Sequence, residues 1–128
     1  MQLQASGEMY LETILVLSQQ KNVVHSVDIS EYMGYSKPSV SRAVGLLREG
    51  GYLDMAPDGA LTLTEVGLEV AAKIYERHTL LTDLLVHLGV DRAVAAEDAC
   101  KMEHVISDET MRAIKQYVRR QAEQGHMP

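Results

Sequence analysis

The chain contains no tryptophan and no phenylalanine, and its only aromatic residues are six tyrosines. A core without large rings must be assembled from Leu, Val, Ile, Met and Ala, which suits packed helices better than a large sandwich. One cysteine cannot form an intrachain disulfide, so a secreted disulfide scaffold is excluded. No stretch approaches the roughly 18 apolar residues of a spanning helix. "MQLQASGEMYLE" at the start lacks the basic opening and apolar run of a signal peptide, so a cytoplasmic location and no membrane partner are expected. Excess positive charge is missing as well. The net charge is −6, with four Lys/Arg against seven Asp/Glu in residues 1–63 and eight against eleven in residues 64–128. A nucleic-acid role therefore requires a local basic patch.

What is present reads as ordered elements. A length of 128 residues fits one domain, or a small domain with an appended helical piece, and 46% hydrophobic residues argue against disorder. Residues 6–20 carry Met9, Leu11, Ile14, Leu15 and Leu17 at helical spacing, with Ser6 as the expected cap. Ser26 opens a short helix that Gly34 ends. Ser36 caps the next helix, Pro38 sits in its first turn where a missing N–H costs nothing, and Gly50-Gly51 stops it. In "YLDMAPDGALTL" two β-type runs flank Pro57-Asp58-Gly59, which predicts a hairpin. Helix, short helix, capped helix and hairpin is the order of a winged helix-turn-helix. Thr64 then caps a long helix to about Leu88, Asp91 a further one to about Val105, and Ser107 a last one to about Gln124. The expected fold is mainly α with a small β-hairpin wing.

In a helix-turn-helix the second helix enters the major groove and presents its N-terminal residues to base edges. Here that helix begins Lys37-Pro38-Ser39-Val40-Ser41-Arg42. Arg42 suits guanine O6 and N7, and Ser39 and Ser41 suit phosphates or bases. Lys37, Arg42 and Arg48 against Glu49 make the segment locally positive. The candidate DNA-binding residues are Ser36, Lys37, Pro38, Ser39, Ser41, Arg42 and Arg48. A helical adaptor with a serine-rich helix start is the plainer alternative.

Two features are unexplained by that reading. His78 interrupts the apolar stripe Val70, Ile74, Leu81, Leu85 of the long helix, and Cys100, Glu103 and His104 stand at i, i+3 and i+4. The latter spacing brings a thiol, a carboxyl and an imidazole, all metal-ligand types, to one helix face. Taken singly each has an ordinary explanation: a buried small cysteine, a solvated Glu-His edge, a hydrogen-bonded core histidine. Met9 would ordinarily be core and Glu12 surface.

"EMYLETI", "KPSVSRAV", "LTLTEVGLEVA", "RHTLL" and "DACKMEHVISDE" occur in this order, and together they resemble the diphtheria toxin repressor family, which includes the manganese transport regulators. The resemblance covers about residues 6–120. It implies a homodimeric, metal-activated transcriptional repressor that binds double-stranded DNA at a palindromic operator and controls metal uptake, with no small organic ligand and no enzymatic activity. Residues 1–63 would be the winged helix-turn-helix domain and 64–128 the helical metal-binding and dimerisation domain, joined by the long helix 64–88. By position, the family's metal ligands fall on Met9, Glu12, His78, Cys100, Glu103 and His104.

Met9 and Cys100 match members with an iron-type site, whereas Glu12 and the two-domain layout resemble the manganese branch. Iron-type members usually carry a third, SH3-like domain, for which these residues leave no room. Thr82 and Ala96 stand where an acid and a histidine of an ancillary site would be expected, so one well-formed site is the expectation. Thioether and thiolate suit Fe(II), Co(II), Ni(II) or Zn(II) better than oxygen-preferring Mn(II). Fe(II) is therefore the favoured metal and Mn(II) the next. Two other classes compete: a winged-helix regulator with Cys100 as a thiol redox switch, and a small metallohydrolase, since Cys-x-x-Glu-His has the spacing of a His-x-x-Glu-His signature.

Overall fold

The computed structural model describes residues 3–125. Six helices and one hairpin follow in the order α1 (Ala5–Gln20), α2 (Ser26–Met33), α3 (Lys37–Glu49), β1 (Leu53–Met55), β2 (Leu61–Leu63), α4 (Glu65–His87), α5 (Arg92–Met102) and α6 (Asp108–Glu123). This is the mainly helical fold with a hairpin wing that the sequence pattern predicts. The chain divides into two compact units between Lys73 and Ile74, within α4.

In the first unit most of the apolar residues that share helical spacing in α1 and α3 are removed from water, although Met9 and Leu15 are only half-buried. Leu11, Ile14 and Leu17 of α1, Ile29 of α2, Val40, Val44 and Leu47 of α3, and Leu53 and Leu61 of the hairpin form one buried cluster, with Ala71 of α4 closing it. Each such aliphatic side chain stabilises the fold by about 1.5–3 kcal/mol relative to exposure. β1 and β2 pair antiparallel with Leu53 opposite Leu63 and Met55 opposite Leu61, and the Leu61 N–H donates to the Val24 carbonyl at 2.8 Å, tying the wing to the segment before α2. Gly59 accepts a φ of +88° in the turn, and Asp58 Oδ1 accepts from the Ala60 N–H at 3.0 Å. Gly67, in the first turns of α4, has a different reason for being glycine. A Cβ there would lie 2.1 Å from the Tyr52 carbonyl oxygen, so the helix could not approach the hairpin with any side chain at that position.

Caps explain most boundaries. The Ser36 hydroxyl accepts from the Ser39 N–H at 3.3 Å, Thr64 Oγ1 from Gly67 at 3.1 Å, Asp91 Oδ2 from Ala93 at 3.2 Å and Ser107 Oγ from Thr110 at 3.1 Å. At α2 the Asp28 carboxylate accepts from the His25 N–H at 2.8 Å. The hydrogen bond from Lys21, then that from the His25 backbone, hold its carboxyl below the usual range.

Two expectations need correction. Ser6 is not the cap of α1: the helix begins at Ala5 behind Gln4, which makes no side-chain cap bond, and Ser6 lies inside the first turn. α5 ends at Met102 rather than near Val105, and the Val105 N–H turns back to the Met102 carbonyl at 3.1 Å in a tighter i→i−3 bond.

The second unit has a smaller apolar cluster, in which Leu81, Ala99 and Met111 are buried and Leu80, Met102, Ile106 and Ile114 pack against them. Arg77, Thr82 and Glu103 are buried here as well.

Candidate metal centre and nucleic-acid interface

The metal-type side chains of the second unit come from α4 and from the end of α5. His78 projects from the middle of α4, while Cys100 lies in the last turn of α5 and Glu103 is its C-cap residue, still helical at φ −61° and ψ −23°. That residual helical turn preserves the i, i+3 relation of Cys100 and Glu103 although the regular helix has ended. One ligand atom from each of His78, Cys100 and Glu103 lies within 4.8 Å of the others. His78 Nδ1 is 3.0 Å from Glu103 Oε2, and His104 Nε2 is 3.4 Å from Glu103 Oε1. Glu103 is fully buried, yet its Oε1 has no hydrogen-bond donor. A buried carboxyl oxygen without a donor is costly unless a cation or proton compensates it.

The donor set therefore fits a divalent transition metal. Thiolate, imidazole and carboxylate are the three protein ligand types such ions take, and each must shed its proton to bind. Met9 and Glu12 stand one turn apart on α1 in the first unit, where Glu12 is buried. Tyr10, between them in sequence, packs against Tyr35 with ring centroids 6.0 Å apart. Burial and the neighbouring Tyr35 raise the Tyr10 phenol above its ordinary range. Through this pair, the helix with Met9 and Glu12 abuts the turn that leads into α3. Thr82 is buried and its hydroxyl donates to the His78 carbonyl at 2.7 Å, an i−4 bond within α4. Ala96 offers no ligand atom.

On α3 the apolar and polar faces separate, apart from the exposed Leu46. Val40, Val44 and Leu47 are buried, whereas Ser36, Lys37, Pro38, Ser39, Ser41, Arg42 and Arg48 are exposed. The Ser36 hydroxyl also donates to Ser39 Oγ at 2.8 Å, so both serines brace the helix start. Among the described residues no carboxylate pairs with Lys37, Arg42 or Arg48. These cations are thus available to an anionic partner.

Residues 2–61 match the family model for the N-terminal DNA-binding domain of iron-dependent repressors, and residues 64–127 that for their metal-binding and dimerisation domain. The chain belongs to the iron-dependent repressor family. Family members are transcriptional repressors, not enzymes, which removes the metallohydrolase alternative. Among relatives, an HTH-type transcriptional regulator of Methanocaldococcus jannaschii is 34% identical over 112 residues, covering 86% of this chain and 90% of that protein. The diphtheria toxin repressor of Corynebacterium glutamicum is 34% identical over 108 residues, covering 84% of this chain and 47% of its own. The transcriptional regulator MntR of Escherichia coli O6:H1 is 32% identical over 111 residues, covering 87% and 72%. This chain thus spans about half the length of the diphtheria toxin repressors it matches. Among solved structures, the manganese regulator SloR superposes with a TM-score of 0.78 at 27% identity, covering 93% of this chain and 55% of that one. A manganese-dependent transcriptional repressor in complex with manganese gives 0.79 at 30%, covering 94% and 53%. Among the described residues of this repressor-family chain, no helix is long and apolar enough to cross a membrane.

Sequence reasoning missed Arg77. Its side chain is buried, and its guanidinium donates to the carbonyls of Glu103 and Ile106 and to the Asp108 carboxylate. A signal was present: Ile74, Arg77 and Leu81 also follow the three-four spacing of the apolar stripe, so a charged side chain there had to find buried partners.

Proposed function

We propose that this chain is a metal-activated, homodimeric repressor of metal-uptake genes, acting in the cytoplasm on a palindromic operator. Fe(II) is its preferred ion and Mn(II) the next, while Zn(II), Co(II) or Ni(II) substitute in vitro. The observation that carries this reading is the donor group His78, Cys100, Glu103 and His104, gathered around one buried carboxyl of which one oxygen accepts no hydrogen bond. Met9 and Glu12 are assigned to the same ligand set.

When bound, the metal supplies positive charge and a tie among these side chains. The chain's own residues do the rest. Glu103, held beside His78 and His104, contributes charge neutralisation. Cys100 and Met9 contribute soft donors that disfavour Mn(II). Tyr10 and Tyr35 link the position of α1 to the turn before α3. On α3, Arg42 is assigned to base edges and Lys37 and Arg48 to phosphates, with Ser36, Pro38, Ser39 and Ser41 lining the same exposed start. Metal can strengthen DNA binding only through a preference for the DNA-competent state, and by linkage DNA must strengthen metal binding equally.

The test is anaerobic fluorescence anisotropy with duplex DNA from the protein's own promoter region, in EDTA and with Fe(II), Mn(II) or Zn(II). Binding should require metal and be strongest with a soft-tolerant ion, and Met9→Asp should move the preference towards Mn(II). Equally tight binding in EDTA would overturn the reading and leave a Cys100 thiol switch in its place.

A further inference from the structure

We infer that Arg77 is the positioning residue of the metal centre, a side chain that fixes Glu103 from behind without itself being a ligand. The inference rests on the metal reading above.

Arg77 and His78 are neighbours on α4, and both reach Glu103. His78 Nδ1 meets the Glu103 carboxyl at 3.0 Å, while Arg77 Nη1 donates to the Glu103 backbone carbonyl at 3.2 Å and to the Ile106 carbonyl at 3.1 Å. Nη2 donates to Asp108 Oδ1 at the start of α6. One guanidinium thus spans the α5–α6 turn, binding carbonyls released where α5 ends and the first residue of α6. Only the planar fork of arginine offers this many donors in a fixed geometry.

The cost of the arrangement indicates a purpose beyond packing. Arg77 is only 8% exposed, and its Nε is buried without an acceptor. Apolar residues of similar volume commonly stabilise such a turn as well or better. What they cannot do is hold the backbone of residue 103 by its carbonyl. That hold matters because the hydrogen bond between His78 and Glu103 uses atoms that a cation would claim. The bonds from Arg77 use none of them, so Glu103 stays fixed whether its carboxyl faces His78 or an ion. Partners behind metal ligands act in this way in general.

The test uses the full chain, titrated anaerobically with Co(II), with absorbance reporting both the thiolate-to-cobalt charge-transfer band of Cys100 and the ligand-field bands of the ion. Wild type is the control for the metal reading itself: without a thiolate band the centre is wrong, whatever Arg77 does. Given that band, Arg77→Gln should weaken Co(II) binding by roughly 10- to 100-fold, the usual effect of losing a partner behind a ligand. The thiolate band should persist, because Cys100 is untouched, while the ligand-field bands shift. Arg77→Lys, which keeps the charge and loses the fork, should recover only part of the affinity. Asp108→Asn loosens the exposed end of the clamp and should have the smallest effect. Metal-free melting is recorded for each variant. If Arg77→Gln does not fold, the other two decide. Folded Arg77→Lys and Asp108→Asn that bind Co(II) with wild-type affinity and spectra, whatever their melting temperatures, overturn the inference and leave Arg77 a structural residue.

Discussion

The two units solve the problem of an interior in different ways. The first buries Leu, Ile or Val from α1, α2, α3 and both strands, with Ala71 from α4, around one cluster, and its buried glycine, Gly67, lets α4 approach the backbone of Tyr52 just before β1. The second places Arg77, Thr82 and Glu103 among a few apolar side chains and leaves Glu103 Oε1 without a donor. Apolar packing accounts for most of the first interior, where Glu12 and Thr13 of α1 are the buried polar side chains. In the second, the Glu103 oxygen that accepts no hydrogen bond is the costly feature, a cost that a bound cation would offset. The difference in interior accompanies a difference in family model, a DNA-binding domain over residues 2–61 and a metal-binding and dimerisation domain over residues 64–127.

That comparison is most sharply broken at Gly67. Gly67→Ala should destabilise the metal-free protein by about 1–3 kcal/mol or more, because a methyl group would collide with backbone rather than with a side chain that can turn away. A Cβ added at Gly45 of α3 would meet nothing within 4 Å, so Gly45→Ala is the matched control and should leave urea stability equal or slightly raised. Equal losses for the two would show that the approach of α4 to Tyr52 is not tight.

The second unit should respond in the opposite sense. Glu103→Gln removes a buried carboxyl, and calorimetry of the metal-free variant should show a stability equal to wild type or higher by about 1 kcal/mol at most. The same variant should lose the stabilisation that wild type gains from added Co(II) or Zn(II). A large loss of metal-free stability would mean that Glu103 serves packing first.

The smallest effect belongs to Asp28, at the start of α2. Its folded-state carboxyl titrates below the ordinary 3.8, so its contribution is fully present above that value and is lost as pH falls through the lower folded one. Asp28→Asn should flatten this acid limb of the stability profile and leave neutral-pH metal and DNA binding unchanged. An acid limb identical to wild type would show that Asp28 is not among the groups that shape it.

Much of this was legible from residue order. Caps at Ser36, Thr64, Asp91 and Ser107 and the Pro57-Asp58-Gly59 turn are local signals, because each acts on backbone groups within three residues. The buried face of α3 follows from periodicity, and that of α1 in part: Leu11, Ile14 and Leu17 are buried as their spacing predicts, Met9 and Leu15 are half-buried, and Tyr10, Glu12 and Thr13 are buried outside the apolar pattern. Cys100 and Glu103 could be paired in advance because one helical turn brings them together, and the turn survives the end of α5. Ser6 misled because a hydroxyl near a helix start was available without being placed at the boundary.

What the sequence by itself determined, then, is whatever depends on neighbours along the chain: the element order, the caps, the wing and the one-turn spacing of Cys100 and Glu103. Only the tertiary structure decided that His78 meets Glu103 across 25 residues, that Arg77 grips the same residue from the other side, and that Gly67 must lack a side chain. These depend on distances between segments far apart in sequence, which spacing along one helix does not encode.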